Sequence, residues 1–191
     1  MFQDGEEYFR ADLIEFIGSK QQQSGIIWGN KEPNCVILTS GGKHGKNSGY
    51  GDERNEDGTW NYIGQGSKGD QDIESFANAL ILSRDKNILL FTTKEPTSKE
   101  IKTSGSRHKK YKFEGIFDVL SWSYHQQIGG TRDGDLLIVF KLIAAENIFN
   151  GICAEVGIIQ KVATVFYPKW PLSFQLKWPV HTIKSVHLTD L

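Results

Sequence analysis

Two short apolar runs constrain this chain most: Asn87-Ile-Leu-Leu-Phe91 and Asp135-Leu-Leu-Ile-Val-Phe140. The second extends nearly unbroken to Leu142, without the apolar-polar alternation of a strand that has one wet face, and so predicts a strand buried on both faces. Each run is far shorter than the roughly 18 residues a membrane-spanning helix requires. The frame is therefore a covered sheet.

The remaining periodicity adds to that sheet. Cys35-Val-Ile-Leu-Thr39, bounded by Pro33-Asn34 and Ser40-Gly-Gly42, reads as a strand, as do Ile26-Ile-Trp28, Ile88 to Thr92 and Tyr111 to Leu120. Ala11 to Phe16 predicts one or two helical turns that Gly18 ends, and Ile73, Phe76, Ala77, Leu80 and Ile81 predict a helix over Asp70 to Ser83. Residues 41–69, rich in Gly, Asn, Asp and Lys, predict long exposed loops, and their aromatics Tyr50, Trp60 and Tyr62 suggest binding. Lys94 to Lys112 reads as a basic loop. Trp60 and Trp122 are expected in the core.

Prolines 168, 171 and 179 make residues 150–191 an expected extension of edge strands and irregular chain packed on the body. With no repeat and no low-complexity linker in 191 residues, one domain is predicted over 1–191, its core at about 10–145. The fold class is α+β, mostly β: a twisted sheet with a few flanking helices.

A net charge of −1 supplies no global cationic field, so any nucleic-acid site has to be a local patch. The acidic start Met1-Phe-Gln-Asp-Gly-Glu-Glu7 lacks the layout of a signal peptide and predicts a cytoplasmic address. Cys35, Cys153 and the five histidines fall at no metal-ligand or triad spacing, so no metal, cofactor or catalytic group is expected. Glu100-Ile-Lys102 has the look of half a nuclease core, but no partner strand with Asp precedes it.

The most informative stretch runs Ser48-Gly-Tyr50-Gly-Asp52-Glu53 and then, past a turn, Trp60-Asn-Tyr62-Ile63-Gly64-Gln-Gly66, Asp70-Gln71 and Asn78-Ala-Leu80. Together with Tyr111-Lys-Phe113-Glu-Gly115-Ile-Phe117-Asp-Val119, Trp122 and the strand from Asp135, it resembles the SRA (YDG) domain family in order and spacing over residues 41–142. Arg10, Gly25 and Ile26 fit what precedes the motif in bacterial members, which are associated with modification-dependent restriction. The resemblance implies a PUA-like or SRA-type β-barrel or crescent that binds double-stranded DNA containing 5-methylcytosine or a related 5-modified cytosine. It also implies a nucleoid-accessible bacterial protein, with any nuclease activity on another domain or partner.

Under that resemblance the pocket residues are Tyr50, Asp52, Glu53, Tyr62, Ile63 and Gly64. The chemistry is coherent: an everted base needs flat side chains to replace its lost stacking, about 1–3 kcal/mol per base. A carboxylate from Asp52 or Glu53 accepts from the N4 amino group of cytosine, where thymine presents an acceptor. The glycine turn from Tyr62 to Gly66 lets backbone N–H groups approach the pyrimidine's acceptor atoms. Lys43, Lys46, Lys68, Arg107, Lys109 and Lys110 are the cations expected on the DNA backbone. Ile63 stands where many members have threonine, and the short segment from Gly66 to Asp70 lacks the basic finger of eukaryotic members. The alternatives are a PUA-like domain reading a modified base in RNA and a nuclease with an unrecognised active site.

Overall fold

A computed structural model describes residues 2–42 and 51–146. In chain order the elements are β1 (Glu7–Phe9), α1 (Arg10–Ile17), β2 (Ile26–Ile27), β3 (Cys35–Ser40), β4 (Glu53–Arg54), β5 (Trp60–Ile63), α2 (Phe76–Leu82), β6 (Asn87–Lys94), α3 (Ser98–Ser104), β7 (Lys110–Gln126) and β8 (Leu136–Ala144), with a 3-10 turn at Gly130–Arg132. The strands form one sheet in the order β2-β3-β6-β7-β8-β5-β4, with β1 paired to β7. Pairing is antiparallel except between β3 and β6. This is the expected mostly-β class. Among the described residues the sheet is open, a crescent rather than a closed barrel.

The runs over β3 and β6 are explained by two clusters on opposite sides of the sheet. β8 enters only one of them: on its other face Leu137 is buried but Val139 and Ile143 are half-buried, so the burial on both faces expected of β8 holds only in part. Val36, Leu38, Ile88, Leu90, Ile138 and Phe140 join Ala77 and Ile81 of α2 in one. Their alternates Ile37, Leu89 and Phe91 join Leu13 and Ile17 of α1 in the other. Because successive strand side chains point to opposite faces, both covers demand apolar residues without alternation. Gly18 ends α1 as expected, at φ +69°, where a Cβ would lie 2.7 Å from that of Lys31.

Several expectations need correction. The expected exposed loop over 41–69 contains β4 and β5, and Tyr62 is buried, together with Trp60 whose place in the core was expected, because β5 pairs with the central strand β8. The helix expected from Asp70 begins only at Phe76. Residues 70–71 are held by β8 instead: Leu136 N–H donates to the Asp70 carboxylate, and the Gln71 N–H donates to the Leu136 carbonyl. The basic loop contains α3, started by a capping box in which Thr97 Oγ1 accepts from Glu100 N–H and Glu100 accepts from Thr97 N–H. Glu100 and Lys102 therefore lie on an exposed helix. Trp122 is 42% exposed rather than core, because β7 runs past the end of its pairing with β6 at Phe117. The expected extension over 150–191 lies outside the described residues.

Candidate nucleic-acid interface

A cavity of about 710 Å³ opens where the ends of β3, β5, β6 and β7 meet the loop before β2. Asp52, Tyr62, Ile63 and Gly64 line it, which brings together four of the six expected pocket residues. Tyr50 lies outside the described residues. Glu53 stands on exposed β4, accepts from Asn61 Nδ2 at 3.4 Å and does not line the cavity.

Asp52 is set into the wall between β3 and β5. Its Oδ1 accepts from Ile63 N–H at 2.8 Å. Burial pushes its carboxyl up to about 6, against hydrogen bonds from Ile63 N–H, the Ser40 hydroxyl and Gly41 N–H that favour the charged form. Tyr62 belongs to the core and is only 4% exposed. Its hydroxyl reaches the cavity wall beside Gly25, where an added Cβ would stand 3.2 Å from that oxygen. Tyr62 thus offers its polar end more than an open ring face.

The glycine turn is tied down from below. Gln71 Nε2 donates to the Gly64 carbonyl at 2.5 Å, and its Oε1 accepts from Ile138 N–H at 2.8 Å. Asn78 accepts from Gln65 N–H at 2.7 Å and donates to the carbonyls of Gln65 and Asp72. Arg132, 4% exposed, donates to the carbonyls of Gly66 and Gly69 and pairs with Asp135. A Cβ on Gly64 would meet side-chain atoms of Asn78, Gln71 and Ile138 at 3.0–3.1 Å, so any larger residue there presses on the network. The backbone N–H groups expected to face a ligand are already committed at three positions: Ile63 to Asp52, Gly64 to the Ile138 carbonyl and Gln65 to Asn78.

On the opposite side Arg10 and Tyr111 enter the lining, a pair that sequence reasoning did not place in the pocket. The Arg10 guanidinium lies 5.8 Å from the centre of the Tyr111 ring and donates to the carbonyls of Gln21 and Ser24. Its Nε is buried without a hydrogen-bond partner. Both residues stood in the family-like segments, which was the one signal available.

Of the expected DNA-backbone cations, Lys109 lines the cavity and pairs with Glu95 at 2.7 Å. Lys110 shares Glu7 with Lys94. Their hydrogen bonds, that from Lys94 foremost, hold the Glu7 carboxyl below its ordinary value. Lys68 and Arg107 are exposed, while Lys43 and Lys46 lie outside the described residues. Among the described residues no group of three His, Cys, Asp or Glu side chains is placed to hold a metal, and no helix is long and apolar enough to cross a membrane.

Comparison with solved structures finds the same fold in three chains, two of them in complex with DNA. KRYPTONITE in complex with mCHH DNA, H3(1–15) peptide and SAH is 16% identical, at a TM-score of 0.53 over 76% of this chain and 32% of that one. The sulfur-binding and SRA domains of ScoMcrA complexed with phosphorothioated DNA give 16% identity and 0.52 over 83% and 47%. The type IV phosphorothioation-dependent restriction endonuclease ScoMcrA gives 13% identity and 0.50 over 75% and 24%. The chain thus spans about a third of the KRYPTONITE chain and a quarter of the endonuclease. No curated protein matches the sequence. Residues 4–100, just over half of the 191, match the SRA domain of the ScoMcrA-like type, and the chain belongs to that family.

Proposed function

We propose that the chain is the sensor of a modification-dependent restriction system: it binds duplex DNA and takes an everted, 5-modified cytosine into the cavity beside Asp52. The observation that carries this reading is a carboxyl set in the wall of a cavity of about 710 Å³, in a domain of this family. Everting a base costs a few kcal/mol, which a sequestering cavity offsets through stacking and edge-on hydrogen bonds. Asp52 accepts from the N4 amino group; Glu53, outside the lining, does not. Tyr62 contributes its hydroxyl end, and Tyr50 a ring for stacking on the base. Lys43, Lys46, Lys68, Arg107, Lys109 and Lys110 set the register on the phosphates. Cleavage belongs to another domain or partner in the cytoplasm, a reading supported by the restriction endonuclease whose SRA-type portion this chain resembles.

Asp52→Asn tests the reading. The amide oxygen can still accept from Ile63 N–H and the new NH₂ can donate to the Ser40 hydroxyl, so the bond from Gly41 N–H is the main one lost, while that NH₂ opposes the donor of cytosine. In fluorescence anisotropy with duplexes differing only in one cytosine or 5-methylcytosine, the preference for the modified duplex should collapse toward one, with plain-duplex affinity retained. Equal loss on both duplexes, with the ratio kept, would overturn the assignment of Asp52 to the base.

A further inference from the structure

We propose that the open edge of β7 is a docking surface for the chain's own segment beyond β8, and that residues 162–166, Val-Ala-Thr-Val-Phe, add a strand there.

The edge itself is the first observation. β6 stops pairing with β7 at Phe117, and among the described residues no strand continues on that side along residues 119–126. Such an edge presents a row of N–H and C=O groups that pairs readily with another segment, and folded proteins blunt it with short strands, lysines, prolines or bulges. The two ends of the sheet follow that rule: β2 and β4 are two residues long, and β4 is the charged pair Glu53-Arg54. The β7 edge does not. Leu120-Ser-Trp-Ser-Tyr-His-Gln126 holds no lysine or proline, and its bulge lies at the start, between Val119 and Ser121. All seven residues are exposed, and the rings of Trp122 and Tyr124 stand edge to face with centres 5.6 Å apart. Their partners on β8, Phe140 and Ile138, are fully buried. The cover of the sheet therefore stops one strand short.

The occupant follows from where the chain goes next. Ala144 at the end of β8 lies opposite Phe117, so the chain leaves the sheet where the open edge begins, with only β7 between. Residues 147–161 can reach about 50 Å, more than the roughly 27 Å of an eight-residue edge, so either strand direction is accessible. About half of residues 147–191 are apolar, against 38% of the whole chain, a composition that favours burial over solvation. Within that segment residues 162–166 are β-branched and aromatic-rich, free of proline and closed off by Pro168. Tethering holds them at an effective concentration on the order of millimolar, an advantage over a second copy. Nucleic acid fits worse. Between Asp118 and Leu136 the sole Lys or Arg is Arg132, buried and paired with Asp135, which leaves no cation for phosphates. That hairpin carries Asp118, Asp133 and Asp135, and Lys161 and Lys169 flank the proposed strand with the complementary charge.

The test uses the 191-residue chain with Trp122 replaced by the photo-crosslinking residue p-benzoylphenylalanine, an exposed position that tolerates the change. Irradiation and trypsin should join the peptide carrying position 122 to the one bounded by Lys161 and Lys169, within a single chain. A crosslinked dimer on a denaturing gel would give the edge to a second copy and overturn the proposal. Crosslinks only to other parts of residues 147–191, or none beyond the β7–β8 hairpin, overturn it as well. Strand pairing has its own readout: Thr164→Pro, which removes a backbone donor, should speed amide exchange across residues 119–126 about tenfold while residues 62–66 keep their rates. Unchanged exchange along 119–126 overturns the added strand. Faster exchange at both places reports global opening, and the crosslink then decides alone.

Discussion

The two sides of the cavity are built on different principles. Beneath the glycine turn, the buried side chains of Gln71, Asn78 and Arg132 tie five backbone carbonyls and two N–H groups into a network, and a Cβ on Gly64 would press on it. Facing it, the Gln21–Ser24 loop is held mainly by Arg10, with Gln22 and Gln23 exposed at the rim. A fully satisfied network fixes geometry, whereas a rim whose amides bond to no described residue can adjust to its ligand. The base edge, which tolerates no misplacement, is proposed for the fixed side.

Removing Asn78 should break the fixed side with the largest effect. Asn78→Ala strands the Gln65 N–H and the carbonyls of Gln65 and Asp72 at a fully buried position. At about 1–3 kcal/mol for each unpaired buried group, with some relief from water, the loss should be about 4 kcal/mol in urea unfolding. Gln23→Ala on the rim should cost about 0.5 kcal/mol or less. Equal costs would mean that the two sides do not differ in the way their hydrogen bonding implies.

Asp52 sharpens the comparison, since it is the ionisable group built into the fixed side. Its carboxyl titrates at about 6 in the fold against an ordinary 3.8, so folding takes up a proton between those values. Below about pH 4 it is protonated in both states and has no effect. As pH rises from about 4 to 6 the unfolded chain ionises first, and stability falls by about 3 kcal/mol, then stays level. The amide introduced by Asp52→Asn cannot titrate. The unfolding free energy of that variant relative to the parent should therefore rise across about pH 4 to 6.5, and a flat difference would place the carboxyl in water.

Much of this architecture was legible in the sequence because it is local or periodic. The unbroken run over Ile88 to Phe91 announces a strand covered on both faces, and Gly18 announces the end of α1. What misled was competition from tertiary partners. The spacing of Ile73, Phe76, Ala77, Leu80 and Ile81 fits a helix from Asp70, yet Asp70 and Gln71 bond to β8 and delay its start to Phe76. The Thr97-Ser-Lys-Glu100 box that starts α3 was visible but hidden by the surrounding lysines. In the site, a carboxylate at 52 or 53 was readable, but only the strand register turns Asp52 inward and leaves Glu53 outside. Arg132 reaches Gly66 across 66 residues, a contact no local pattern encodes.

The smallest expected effect belongs to Lys109, which borders the adjustable side. Its ion pair with Glu95 is about one-third exposed on both partners, so Lys109→Ala should change stability by less than about 1 kcal/mol. If Lys109 exchanges Glu95 for a DNA phosphate, the variant should bind every duplex more weakly by the same factor. The slope of log affinity against log salt should then shrink by about one, as expected when one phosphate contact is lost. A loss confined to the modified duplex would move Lys109 from the backbone into the cavity's recognition surface, and an unchanged slope would leave it paired to Glu95 in the complex.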